Sequence, residues 1–406
     1  MIVLNFNNLF LLSHVIPVIT ISLKNLSPEK AINKEFFDDK KIKNPIERAL
    51  FFGKCAIQLF KGFSKYYPNI PSFVYSTQPE EECSFKNCVV RFGTHPFPSE
   101  TNIKISSELK KWIERTSGDA AVFVSGGTSS LLFLSLEGVA FEEIIRLERK
   151  LLSKKIPIKE LNFVRMALSE LRGGGVGELL KPYNFFGFVW CDVEPKDFKF
   201  VGSAPLGGMD IDLKKEAERI LGKYNLKLSF EIKERKMKRL PVNSKIIKLA
   251  DGVELCKDVQ KRLKRKNIEC KIINIKEGTS SFEAAKIIFE NAEKIKSPSV
   301  LIGNGEFLVD VKKNGVGGRC SHLTANIAKL FKKKKGWFFG AIATDGVDGN
   351  GYGGAFCHSE KKININELDK AIKEFNTGEF FRKREMVFEK KPTRNNLRDL
   401  WFLILE

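Results

Sequence analysis

The chain has 406 residues, 43% of them hydrophobic and 29% charged, a balance that excludes fibrous and wholly disordered classes and calls for two or three domains. Its 69 Lys and Arg against 49 Asp and Glu leave a formal charge of +20, which favours anionic partners, yet the densest run, "LFKKKKGWFF" (330–339), is shorter than a nucleic-acid-binding tail. Eight cysteines at irregular spacing make no disulfide framework, and neither Cys83-x4-Cys88 nor Cys357-His358 has zinc-site spacing, so reduced thiols in the cytoplasm are expected.

The first 23 residues carry no Lys, Arg, Asp or Glu. They lack the basic start and cleavage site of a signal peptide, and Asn5, Asn7, Asn8, His14 and Pro17 interrupt any membrane span. A packed N-terminal element or an over-long start is expected, with a membrane anchor as the rival. Apolar runs at 48–53, 72–77, 88–93, 120–127 and 185–192 read as strands. Amphipathic helices are expected at 54–67, 106–117, 141–155, 158–172 and 213–225.

Continuous rather than alternating apolar strands between helices indicate a parallel sheet covered on both faces. A charged stretch at 230–245 containing Pro241 reads as a linker. Beyond it "KIIKLA" (245–250) opens a second alternating unit. Helices are expected there at 251–266 and 281–294, strands at 270–275, 299–306 and 307–315, then a helix from "GGRCSH" and a strand at 336–346. The expectation is an α/β chain of two lobes joined by a hinge, with a cleft between them.

Five strand ends run into glycines with polar residues: Gly53-Lys54, Ser125 to Ser130, Asp192 to Pro205, Gly303 to Glu306, and Thr344 to Gly354. Glycine permits positive φ and close approach of main-chain N–H groups to an anion. Each such loop alone reads more readily as a plain turn; the series is the signal. Lys54, where a buried strand gives way to a helix, needs an anion or a route to water. Arg319 opens a helix, where a cation opposes the macrodipole unless anionic oxygens share the place. Asp192 with Asp197, and Asp345 with Asp348, are carboxylate pairs that suit Mg²⁺ or simple turn capping. No Walker A loop or protein-kinase glycine loop is present.

In order along the chain, these loops resemble the two-lobed glycerate 2-kinase family. Its G-K-A stands as Gly53, Lys54 and Cys55, and its G-H-P-x-P resembles Gly93 to Pro98. Its S-G-G-G-S-A-L-L is similar to "SGGTSSLL", and V-R-K-H-L-S-x-x-K-G-G to "VRMALSELRGG" (164–174). Its S-D-V-P-G-D-D-x-x-x-I-G-S-G-P resembles "CDVEPKDFKFVGSAP", G-G-R-N-Q-E resembles "GGRCSH", and T-D-G-x-D-G is kept at 344–349. P-T-G-T-N-V-N-D-L is faintly visible as "PTRNNLRDL" (392–400).

The resemblance implies phosphorylation of the 2-hydroxyl of D-glycerate with ATP and Mg²⁺. It implies Lys54 and Arg319 as catalytic cations from opposite lobes, and Ser125, Gly126, Gly127, Thr128 and Ser129 as the nucleotide-phosphate cradle. Asp192 and Asp197 become metal or hydroxyl candidates, with Arg165, Glu306 and Asp345 as further substrate or metal candidates. It also implies a Rossmann-like parallel-sheet lobe at 1–240, with 380–406 returning to it, and a smaller α/β lobe at 241–379. Partners are then a small hydroxy acid and a second copy of the chain, with no nucleic acid or membrane.

Departures from the family pattern at Cys320, Ser321, His322, Glu194-Pro195-Lys196, Arg394 and around Tyr352 are expected to touch substrate and metal surroundings. They keep open a re-purposed relative that binds a nucleotide or sugar acid without transfer, and the charge keeps open a nucleic-acid binder.

Overall fold

The structure is a computed structural model that describes residues 10–77, 85–136, 138–154, 156–311 and 314–406. Residues 1–9 of the apolar N-terminus, Cys83, Lys155 of the expected helix, and Lys312 and Lys313 of the expected strand lie outside the described residues. The chain divides into two compact units: Pro28–Cys191 with Lys196–Leu249, and Met1–Ser27 with Asp192–Pro195 and Ala250–Glu406.

The first unit is built on strands β1 (Arg48–Phe52), β2 (Ser72–Ser76), β3 (Cys88–Phe92), β4 (Ala120–Val124) and β5 (Phe185–Trp190). A small ribbon pairs β6 (Ile211–Asp212) with β7 (Lys236–Met237), and β8 (Lys245–Ala250) returns to the main sheet. The six-stranded order is β3-β2-β1-β4-β5-β8, with parallel pairing from β3 through β5. This is the doubly wound order, so the switch point falls between β1 and β4. Every residue of β1, β4 and β5 is buried, which is why their sequences are apolar without alternation. Phe51 stacks on Phe123 at 4.6 Å, and Phe123 on Phe188 at 4.9 Å, tying the three central strands together on one face.

The second unit holds β9 (Cys270–Ile272), β10 (Ser299–Asn304), β11 (Trp337–Ala343), β12 (Gly354–His358), β13 (Val387–Phe388) and β14 (Asp399–Leu405), ordered β13-β12-β11-β14-β10-β9. It is a mixed sheet: β9 and β10 are parallel, and β14 is antiparallel to both β10 and β11. The helix Phe10–Asn25 packs in this unit against the helix Gly252–Lys264. Val15 and Ile19 on it are wholly buried, so over 10–25 the apolar N-terminus is a packed element. No described helix is long and apolar enough to cross a membrane.

Four expectations are corrected. Residues 380–406 do not return to the first lobe; β14 occupies the middle of the second sheet, where its apolar run "DLWFLIL" is buried from Asp399 to Ile404. "KIIKLA" is β8 of the first sheet and does not open the second unit, because β5 offers an edge for it. The helix expected at 158–172 ends at Ala167, since Ser169 bridges to Ser135 and turns its hydroxyl onto the Leu171 and Arg172 amides. The described part of 307–315 forms no strand, only a bridge of Leu308 to Ser280.

Candidate active site

At the switch point the ends of β1 and β4 are locked to each other. The Lys54 amide donates to the Gly126 carbonyl at 2.8 Å and the Cys55 amide to Ser125 Oγ at 3.1 Å. Ser125 Oγ donates onward to the Phe52 carbonyl at 2.9 Å. Gly53 has φ +104°, and a Cβ there would lie 2.6 Å from the carbonyl oxygens of Ser125 and Gly126, so only glycine lets the two loops meet so closely.

The five residues of the expected phosphate cradle therefore divide. Ser125 and Thr128 are wholly buried and spend their hydroxyls inside the loop, Thr128 Oγ1 donating to the Ser125 carbonyl at 2.7 Å. They fix the shape of the loop. Ser129 Oγ is hydrogen-bonded to Ser203 Oγ at 2.8 Å, on the Gly202-Ser203-Ala204 turn whose backbone is left-handed throughout, a strain that clusters at functional sites. Gly126 and Gly127 bring main chain without side chains. Gly127, with φ +86°, leaves a space whose filling by a Cβ would press Lys54 Cγ and Thr77 Cγ2 at 3.2 Å and His95 Cδ2 at 3.4 Å.

Lys54, Thr77 and His95 thus converge on Gly127. Thr77 Oγ1 is buried with no hydrogen-bond partner among the described residues, an orphan open to a water or a ligand atom. His95 is exposed to solvent, yet partial desolvation beside Gly127, joined by the Lys54 charge, pushes its pKa down to about 4. It is neutral at physiological pH. His95 stands in the family-like Gly93 to Pro98 loop without being among the site residues expected from the sequence.

Arg165 is committed elsewhere. Its Nε and Nη2 donate to the two oxygens of Glu148 at 3.1 Å each, and buried Arg172 stands 3.7 Å from the same carboxylate and over the Phe133 ring. Desolvation lowers the Arg172 pKa to about 10, with Glu148 opposing and Arg165 adding to the shift. This triad holds the chain just before Gly173 and Gly174, whose amides donate to the Ser203 and Ala204 carbonyls. Arg165 and Arg172 support the strained Gly202-Ser203-Ala204 turn.

In the second unit Arg319 is the first residue of the helix Arg319–Leu330. Its Nε donates to Asp399 Oδ2 and its Nη2 to Glu306 Oε1, both at 2.9 Å. The anions that the helix N-terminus calls for are therefore supplied by the chain itself. Burial alone would lower the Arg319 pKa, but the two carboxylates outweigh it and raise it. Burial pushes the Asp399 carboxyl up to about 7 against the pull of Arg319, and Glu306 and Asp348 push the same way as burial.

Asp348 caps that helix, accepting from the Cys320 and Ser321 amides at 2.9 Å. A Cβ on Gly318 would lie 2.1 Å from its Oδ1, which is why glycine precedes Arg319. Asp345 caps its own turn by accepting from the Val347 amide at 3.1 Å. Cys320, Ser321 and His322 are buried, with Ser321 Oγ and His322 Nδ1 both 2.9 Å from Thr377 Oγ1. These departures pack the helix start inside the lobe.

Asp192 accepts from Asn396 Nδ2 at 3.1 Å in the second unit, whereas Asp197 belongs to the first and pairs with Lys159 at 2.5 Å. Among the described residues no group of three or more His, Cys, Asp or Glu is placed to hold a metal ion.

Two family models match: a domain of unknown function (DUF4147) over residues 14–237, and the MOFRL family over 299–399. A D-glycerate 2-kinase of Thermotoga maritima is 30% identical over 63% of this chain and 64% of its own length, just under two thirds. A glycerate 2-kinase of Picrophilus torridus is 26% identical over 87% of each chain. The crystal structure of a Thermotoga maritima glycerate kinase superposes with a TM-score of 0.87 at 24% identity, covering 98% of this chain and 99% of that one; at that identity the likeness establishes the fold. With the DUF4147 region spanning more than half of its length and MOFRL following, the chain belongs to the two-lobed glycerate 2-kinase family.

Proposed function

We propose that the chain is an ATP-dependent kinase that phosphorylates the 2-hydroxyl of D-glycerate. The observation that carries this reading is the convergence of Lys54 and of Thr77, with its orphaned Oγ1, on side-chain-free Gly127 at the β1–β4 switch point. Relatives named D-glycerate 2-kinase and glycerate 2-kinase support the choice of substrate.

In this reading the 2-hydroxyl oxygen bonds to the γ-phosphorus, the bond from that phosphorus to the bridging oxygen of ADP breaks, and the hydroxyl proton is released. Phosphoryl transfer requires mainly alignment and charge neutralisation. Lys54 and Arg319 each supply positive charge to the transferring group, and Gly126 and Gly127 bring main chain to the phosphates. Magnesium travels with the nucleotide. The enzyme works in the cytoplasm, as the free thiols of the described cysteines suggest, and as a homodimer.

The test is turnover of ATP with D-glycerate, with and without Mg²⁺, and the phosphorylated position read by ³¹P NMR. Lys54→Ala and Arg319→Ala each remove one electrostatic donor, a loss of roughly 10²–10³-fold in kcat. Full turnover by Lys54→Ala rejects its role. ATP binding without product from any hydroxy acid points instead to the re-purposed relative.

A further inference from the structure

The two carboxylates on Arg319 are not equivalent. Asp399 is 9% exposed and Glu306 37%. Asp399 begins β14 opposite Ala343, and its carbonyl accepts from the Gly305 amide at 3.0 Å and from Asn304 Nδ2 at 2.9 Å. It is fixed at both main chain and side chain. Glu306 stands past the end of β10, beyond Gly305, in a stretch without regular structure. Its contact with Arg319 is a half-exposed ion pair, the kind that contributes little and is readily exchanged, whereas uncovering a buried partner such as Asp399 is costly.

A carboxylate oxygen on an outer guanidinium nitrogen is chemically what a ligand carboxylate or phosphate offers the same nitrogen. A second guanidinium is close by: Arg398 Nη2 lies 3.7 Å from where a Cβ on Gly305 would be, and its Nη1 is 3.7 Å from Glu194. We propose that Glu306 is a placeholder for the anionic group of the ligand, seated on the outer edge of Arg319 until that group displaces it, while Asp399 holds the guanidinium in position. Glu306 then opposes binding, the reverse of a substrate or metal ligand. The identity of the anion rests on the kinase reading; the exchange itself does not.

The experiment is calorimetry on the full chain with pyrophosphate, ATP and D-glycerate as separate probes. Glu306→Gln tightens the Kd of those anions that the wild type binds at this place by about two- to fivefold, the worth of an exposed ion pair. The gain vanishes when Arg319→Gln is added, and Asp399→Asn weakens binding. Circular dichroism confirms that each variant is folded. Unchanged or weaker binding by Glu306→Gln overturns the proposal, as does a gain that survives Arg319→Gln or a failure of both wild type and Glu306→Gln to bind any probe. Tightened binding without turnover leaves the placeholder standing and removes only the kinase reading.

Discussion

Replacing Gly53 by alanine tests how the two switch-point loops meet. The residue sits at φ +104°, and the new Cβ would lie 2.5 Å from Ser125 Oγ and 2.6 Å from the Ser125 and Gly126 carbonyl oxygens. A side chain in that backbone region costs about 1–3 kcal/mol. Overlap with backbone atoms, which cannot swing aside as a flexible side chain would, adds about 1–3 kcal/mol. At about 2–4 °C per kcal/mol for a unit of this size, the melting temperature falls by roughly 5–20 °C. The relaxation pushes the Gly126 carbonyl off the Lys54 amide, and a displacement approaching 1 Å costs about 10²-fold in turnover.

Gly138 is the control, with φ +84° and nothing within 4 Å of its would-be Cβ. Gly138→Ala carries the backbone cost alone, about 1–2 kcal/mol. Thermal and urea unfolding of both variants, with turnover measured alongside, separates the two effects. A Gly53→Ala protein that melts and turns over like wild type, or a Gly138→Ala protein equally destabilised, refutes the close-approach argument.

Three further outcomes are expected. The His95 ring resonance titrates near pH 4, and Lys54→Met moves it up only part of the way to 6.5, because desolvation is the larger cause. With the folded pKa depressed, the contribution of His95 to stability is full above pH 6.5 and is lost as pH falls to 4; a ring titrating at 6.5 in the folded protein contradicts its placement beside Lys54 and Gly127. Glu148→Gln leaves Arg165 and buried Arg172 without their shared carboxylate and lowers urea-unfolding stability by about 3–5 kcal/mol, a loss that Arg172→Met in the same chain partly restores. Asp348→Ala strips the cap from the Cys320 and Ser321 amides and costs about 1–2 kcal/mol, with faster hydrogen exchange at those two amides as the signature. Exchange unchanged there shows that the helix start is held by something else.

The linear chain reveals what local chemistry dictates. Unbroken apolar runs mark strands buried on both faces, and glycines at their ends mark loops that carry main chain close to something. Gly53-Lys54, the 125–130 loop and Arg319 were legible for that reason. Side-chain direction within the loops was not, because whether Ser125 faces a ligand or the Phe52 carbonyl depends on a strand 73 residues away.

Pairing between distant segments was decided only by the tertiary structure. The last strand could have closed either sheet, since "DLWFLIL" is apolar enough for both; its insertion between β10 and β11 brings Asp399 to Arg319, 80 residues apart. That one placement determines which carboxylate is buried and fixed and which stays half-exposed and exchangeable. Burial sets the electrostatic worth of a charge, and burial is a property of the folded sheet, absent from any local stretch of residues.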